Sequence, residues 1–174
     1  MAEDFFAIQG LGGKRTLHGE LPVRGSKNAT LPALAAALLF DTPLPLENVP
    51  LIDDVAAMEE ILESLGAEVK RTARGETIVD ARRAISAPLP RELAKRMRAS
   101  VIFAGPLLAR WGVAAFPHPG GCVIGARPID FFLEGFAKMG AAYEEGDFGY
   151  RLRAPKGGLR GADIFFRQVT VTGT

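Results

Sequence analysis

The chain has 174 residues, 48% hydrophobic and 24% charged, with 21 basic against 20 acidic side chains and a formal net charge of +1. That composition suits a globular protein of one domain, or of one and a fraction, and it offers neither a basic field for nucleic acid nor an acidic tail. A single cysteine rules out an internal disulfide framework and a cysteine zinc site, His18 and His118 are too far apart for a metal cluster, and the longest apolar run, Ala29 to Phe40, is too short to span a bilayer.

In chain order, Phe5 to Gln9 and Thr16 to Arg24 read as two strands around the turn Gly10-Leu-Gly-Gly13. Ser26 is a plausible N-cap for an apolar helix from Lys27 to Leu39, with Pro32 within its first turn or so, where a missing N–H costs least. Asp53 or Asp54 caps a second helix whose Val55, Met58, Ile61, Leu62 and Leu65 share one face and which Gly66 ends. A strand pair follows at Ala67–Thr72 and Glu76–Ala81. Pro90 to Met97 reads as a short helix, Ser100 to Arg110 as an apolar one containing Gly105-Pro106, and Val113 to Phe116 as a strand. Asp130 then caps a helix with Phe132, Leu133, Phe136 and Met139 inward. Gly140 ends it, and strands near Ala142–Glu144 and Tyr150–Ala154 close the series.

The series is a repeat. Leu65-Gly66-Ala67 matches Met139-Gly140-Ala141, and Gly75 matches Gly149, both at an offset of 74. Asn28-Ala29-Thr30 matches Arg98-Ala99-Ser100 at an offset of 70, and a third start is visible in Val171-Thr172-Gly173-Thr174. Internal repeats of this length imply stacked, similarly folded units. Each unit opens its apolar helix with a short polar cluster: Ser26-Lys27-Asn28, Arg98-Ala99-Ser100, Thr170-Val171-Thr172. A buried helix N-terminus offers free N–H groups and a positive dipole. Three such ends about a pseudo-threefold axis would converge on an anionic ligand. Lys27 and Arg98 at two of them argue for more than plain capping.

The lone thiol lies in Pro119-Gly-Gly-Cys-Val-Ile-Gly-Ala-Arg-Pro-Ile-Asp130. Glycines let a backbone bend sharply and approach a ligand closely. Arg127, five residues after Cys122, lowers a thiol pKa and grips phosphate or carboxylate. That setting points to chemistry rather than to a small buried hydrophobe, and a free thiol suits a reducing cytoplasm.

Together these residues resemble the N-terminal part of the UDP-N-acetylglucosamine 1-carboxyvinyltransferases, the enolpyruvyl transferases that start peptidoglycan synthesis. The likeness covers essentially the whole chain. It rests on Gly25-Ser-Lys-Asn-Ala-Thr-Leu-Pro32, Leu46-Glu-Asn-Val-Pro50, Lys95-Arg-Met-Arg-Ala-Ser100, Gly105-Pro-Leu-Leu-Ala-Arg110, Pro119 to Pro128 and Val169-Thr-Val-Thr-Gly-Thr174. The resemblance implies an α/β (α+β) enolpyruvyl transferase fold, an inside-out barrel of βαβαββ repeats with helices inside and sheets outside, incomplete here. Residues 1–26 would then be strands of the second domain. Residues 27–174 would be the first domain, about two repeats and the start of a third.

The implied reaction moves the enolpyruvyl group of phosphoenolpyruvate onto the 3-hydroxyl of UDP-N-acetylglucosamine and releases phosphate, in the cytoplasm and with no metal or organic cofactor. Carried over by position, Cys122 is the proton donor at the phosphoenolpyruvate methylene and the residue alkylated by fosfomycin. Lys27 contacts phosphoenolpyruvate and Asn28 the sugar. Arg127 and Arg98 belong to the anion site, Pro128, Ile129, Asp130 and Phe131 seat the uridine, and Thr170, Val171 and Thr172 receive the diphosphate. The sequence departs from the pattern at Ser26 and Thr30, where Ala is common, at Phe132 in place of a histidine, and at Gln168 in place of a lysine. The Ser26-Lys27 pair is shared with the sister 3-phosphoshikimate enzymes, which lack the Pro-Gly-Gly-Cys loop. The aspartate base of the family falls beyond Thr174, so the expectation is a piece that is inactive alone. A non-catalytic nucleotide-sugar-binding paralogue is the reading from another class.

Overall fold

The computed structural model describes residues 6–13, 16–72, 75–120, 129–166 and 169. The elements are α1 (Lys27–Ala36) with a 3-10 turn at Ala37–Leu39, β1 (Leu44–Leu46), α2 (Asp53–Ser64), β2 (Glu68–Arg71), β3 (Thr77–Asp80), α3 (Arg91–Arg96), a 3-10 turn at Arg98–Phe103 leading into α4 (Ala104–Trp111), β4 (Val113–Phe116), α5 (Asp130–Lys138), β5 (Ala142–Gly146) and β6 (Gly149–Arg153). They form two units of one plan. Each has an antiparallel three-stranded sheet whose last strand in sequence lies in the middle, in the orders β1-β3-β2 and β4-β6-β5.

The repeat read from the sequence is visible bond by bond. After α2, the Gly66 and Ala67 amides donate to Glu63 and Leu62; after α5, those of Gly140 and Ala141 donate to Ala137 and Phe136. Gly66 and Gly140 hold φ of +89° and +92°, left-handed conformations that glycine adopts without a Cβ penalty. The same overlapping bonds therefore terminate both helices, 74 residues apart.

Apolar burial fixes the layers. α1 packs on α2 and on the Arg98–Phe103 turn, and α4 packs on the Ala37–Leu39 turn, so the two units share one core. Leu34, Leu38, Met58, Ile61, Leu62, Phe103, Leu107 and Leu108 are all buried there. Each such side chain contributes about 1.5–3 kcal/mol relative to exposure. The helices lie inside and the sheets cover them, the layering of an α/β fold.

Several local expectations need correction. Neither Asp53 nor Asp130 caps its helix: each is the first helical residue, after Ile52 and Ile129 respectively, and no side chain bonds the helix start. Both carboxylates still favour the positive end of the dipole. The apolar segment expected as one helix from Ser100 is 3-10 up to Phe103 and α from Ala104. Pro106 has no N–H to give to the Ile102 carbonyl, so the α ladder cannot run back through that turn. β1 was not anticipated, because Pro43 and Pro45 flank Leu44. It is an edge strand, where a proline needs no partner for the N–H it lacks.

Residues 6–9 and 16–24, expected as strands, form none. Among the described residues they pair with no strand, and a strand needs a ladder partner. Their apolar side chains stand in solvent: Phe6 is 99% exposed, and Ile8, Leu17, Leu21 and Val23 are nearly as open.

Candidate functional site

Ser26 is the N-cap of α1, its hydroxyl oxygen accepting from the Ala29 amide at 3.4 Å, while Thr30 donates back to the Ser26 carbonyl at 2.9 Å. This fixes Lys27 as the first helical residue and Asn28, exposed, as the second. The Lys27 ammonium meets the Asp54 carboxylate at 2.8 Å. Asp54 lies in the first turn of α2, so one bond ties the starts of two helices together. An open cleft of about 230 Å³, lined by Ser26, Ala29, Thr30, Asn48 and Val49 among others, lies beside the α1 start.

In the second unit the first residue of the 3-10 turn is Arg98, which the repeat aligns with Asn28. Its guanidinium lies over the Phe131 ring, 5.5 Å from the centroid. Phe131 also touches Phe132 at 4.7 Å and Phe166 edge-on at 5.8 Å. Ile129 is buried, and Asp130 is exposed at the head of α5. The structure thus brings Arg98 together with the 129–131 segment. It also brings the Lys27 helix against the Arg98 turn, because α1 packs on residues 98–103. Two cations at two helix starts suit an anionic ligand. Cys122, Arg127, Pro128, Thr170, Val171 and Thr172 lie outside the described residues.

The stem that leads to Cys122 is held from two sides. The His118 ring sits edge-on to Tyr150 of β6 at 5.0 Å, with its Nδ1 3.7 Å from the Glu145 carboxylate. Burial, then the neighbouring Glu145, pushes the Tyr150 hydroxyl pKa up, so it is neutral here. On the other side, Gly120 lies directly on the backbone of Lys95 in α3, where a Cβ would overlap the Lys95 carbonyl. α3 is itself fastened to the β5–β6 turn by the Arg91 guanidinium, which donates to the Asp147 carbonyl at 2.7 Å and covers Phe148 at 5.1 Å.

Sequence reading gave no role to Asp54 as the partner of Lys27, nor to Arg110. Arg110 donates to the carbonyls of Leu38 (2.7 Å) and Ala81 (2.9 Å) and stacks on Trp111. It therefore ties the second unit to the ends of two elements in the first. A larger cleft, about 820 Å³, lies elsewhere, at the end of α2 among Glu63, Glu68, Asp80, Arg82 and Arg83. None of the expected site residues lines it, and Arg82 there is paired with Asp80 at 2.6 Å.

The family profile of EPSP synthase (3-phosphoshikimate 1-carboxyvinyltransferase) matches residues 11–174. The chain belongs to the EPSP synthase family. Among solved structures, it is similar to the enolpyruvyl transferase NikO from Streptomyces tendae, with 27% identity and a TM-score of 0.66 over 79% of this chain. It spans about 30% of the length of NikO. A weaker likeness, 18% identical with a TM-score of 0.46, is to EPSP synthase from Acinetobacter baumannii, over 72% of this chain and 31% of that one. The NikO likeness bears out the enolpyruvyl transferase fold for this EPSP synthase-family chain. Among the described residues, no helix is long and apolar enough to cross a membrane.

Proposed function

We propose that this EPSP synthase-family chain carries the phosphoenolpyruvate-side half of an enolpyruvyl transferase site, and that its acceptor is UDP-N-acetylglucosamine, as in UDP-N-acetylglucosamine 1-carboxyvinyltransferase. The observation that carries the acceptor is the run Pro119-Gly-Gly-Cys-Val-Ile-Gly-Ala-Arg-Pro128, entered from a stem packed onto the helix that precedes Arg98. Addition of a sugar hydroxyl across the enol double bond needs a proton at the methylene carbon, and loss of phosphate then needs one removed from it. Cys122 is the acid for the first step, because a thiol near a cation titrates close to working pH. Lys27, Arg98 and Arg127 hold the phosphate and carboxylate, with Asp54 orienting Lys27. Asn28 faces the sugar, Pro128, Ile129, Asp130 and Phe131 seat the uridine, and Thr170, Val171 and Thr172 receive the diphosphate. Residues 1–26 pair with a sheet of a second domain, consistent with the alternating exposed apolar side chains of that segment.

The test is phosphate release from phosphoenolpyruvate and UDP-N-acetylglucosamine by the full-length gene product. Cys122→Ser is expected to lower kcat by about 10²-fold or more, the usual size of a lost general acid. Unchanged turnover removes Cys122 from the chemistry. A second reading, transfer to shikimate 3-phosphate, is favoured by the Ser26-Lys27 pair and by the family description. Calorimetric titration with each acceptor decides between them: heat from shikimate 3-phosphate alone would replace the first reading.

A further inference from the structure

The two helix starts hold their cations by different chemistry. Lys27 is met by a carboxylate, that of Asp54 at 2.8 Å. Arg98 is met by a ring: its guanidinium carbon lies 5.5 Å from the Phe131 centroid, inside the range of a cation–π contact. Both partners in that contact are anchored. The buried Ser100 hydroxyl lies 3.0 Å from both the Ala94 and the Met97 carbonyls and closes the turn that carries Arg98. Phe131 belongs to the first turn of α5, where the Phe132 and Leu133 amides donate to the Ile129 carbonyl. Its ring lies 4.7 Å from Phe132 at 31° and 5.8 Å from Phe166 at 77°, so two further rings fix its place. The 164–166 segment is in turn laid on α5, with Ile164 Cδ1 3.8 Å from where a Cβ would stand on Gly135.

We infer that Phe131 is a positioning residue: its ring orients the Arg98 guanidinium toward the bound anion. This rests on the reading of Arg98 as part of the anion site, and goes beyond the seating of uridine by the same segment. An arginine side chain carries about 2 kcal/mol of rotamer entropy. A site that orders it beforehand does not lose that freedom again when the ligand arrives. Ser100 fixes only the backbone of the turn, so the side chain is aimed by what it lies on. A ring face suits a planar guanidinium, whose N–H donors point outward in its own plane. A ring also carries no net charge. This contact therefore orients the cation without competing with an anion for it, whereas the Asp54 carboxylate competes for Lys27.

The experiment is a calorimetric titration of the full-length gene product with phosphoenolpyruvate and no acceptor, so nothing turns over. Phe131→Leu keeps an apolar side chain and removes the ring. It is expected to raise Kd roughly two- to fivefold, the size of one such contact near the surface. Phe131→Tyr keeps the ring and is expected to bind as the parent does. Arg98→Gln is expected to raise Kd by about tenfold or more, and in that background Phe131→Leu is expected to add nothing. Phe165→Leu, at a ring 83% exposed, is the control and leaves Kd unchanged. The Arg98 Nε–H proton, identified by NMR through its loss in Arg98→Lys, is expected to lie upfield because of the ring and to stay there at saturating phosphoenolpyruvate. Its return to the position of exposed arginines on saturation shows the guanidinium leaving the ring, and overturns the inference whether or not Phe131→Leu folds. So does an unchanged Kd in Phe131→Leu while Arg98→Gln weakens binding, or an equal effect of Phe131→Leu in both backgrounds. A Kd indifferent to Arg98→Gln, or a parent protein that does not bind phosphoenolpyruvate, instead fails the reading of Arg98 and takes the inference with it. The choice of acceptor is read separately, from acceptor binding and phosphate release.

Discussion

The first and second units share strand order and helix terminators, yet they solve the space between α-helix and sheet with opposite chemistry. In the first, Glu59 of α2 is buried and accepts from the Arg71 guanidinium of β2 (3.0 and 3.1 Å) and from the Thr77 hydroxyl of β3 (3.3 Å). In the second, the position 74 residues on is Leu133, buried in the apolar core. The central helices differ as well: α then 3-10 in the first, 3-10 then α in the second. The plan is thus set by where apolar faces and turns fall, and tolerates either a satisfied ion pair or a leucine in the same slot.

Variants can break that comparison, beginning at the core the units share. Phe103→Ala, at a site with no exposed surface, is expected to destabilise by about 3–5 kcal/mol, read as a loss in denaturant midpoint. Glu59→Ala leaves Arg71 and Thr77 without their acceptor and is expected to cost roughly 2–4 kcal/mol. That is below a fully buried pair, because the Arg71 side chain is 31% exposed. Glu59→Leu with Arg71→Met copies the solution of the second unit and is expected to recover most of the loss. Failure to recover would show that the pair sets more than local packing. Arg110→Ala removes two bonds that join the units and is expected to cost roughly 1–3 kcal/mol, with Arg110→Lys keeping part.

The smallest effect is a pH effect confined to the first unit. Hydrogen bonds from the Arg82 side chain and then its amide hold the Asp80 carboxyl down to about 2, against 3.8 for a free aspartate. A depressed folded pKa contributes stability above the unfolded value, and that contribution is lost as pH falls through the folded one. The window is therefore between about 4 and about 2. Asp80→Asn should flatten the stability curve there and lower stability at pH 7 slightly, by the small contribution of an exposed pair. The second unit has Ala154 at the matching position and makes no such contribution.

The regular parts were legible in the sequence because periodicity and terminators agreed. Val55, Met58, Ile61, Leu62 and Leu65 are all buried, as the helical spacing requires, and the glycine offset of 74 reports a real structural repeat. What escaped was decided by missing amide hydrogens and by distant partners. Pro106 turned the start of a helix into 3-10, Pro45 hid an edge strand, and the alternation in residues 6–24 called for a sheet that the described residues do not provide. The sequence placed Lys27 and Arg98 at helix starts, where the structure has them. The partners Asp54, 27 residues from Lys27, and Phe131, 33 residues from Arg98, depend on tertiary packing that no local pattern records.

The place of β3 and β6 in their sheets governs the order in which the chain acquires structure on the ribosome. Each is the middle strand of its sheet and the last to be made, so β1 and β2 have no hydrogen-bonding neighbour until residue 80 has emerged, and β4 and β5 none until residue 153. The first unit can close its sheet while the second is still being synthesised. Its Leu38 carbonyl, however, gains the Arg110 guanidinium only later, and the Ala81 carbonyl, which already accepts from the Ala84 amide, gains it as a second donor. The nascent first unit therefore closes its own sheet before the donor that ties it to the next unit has been made.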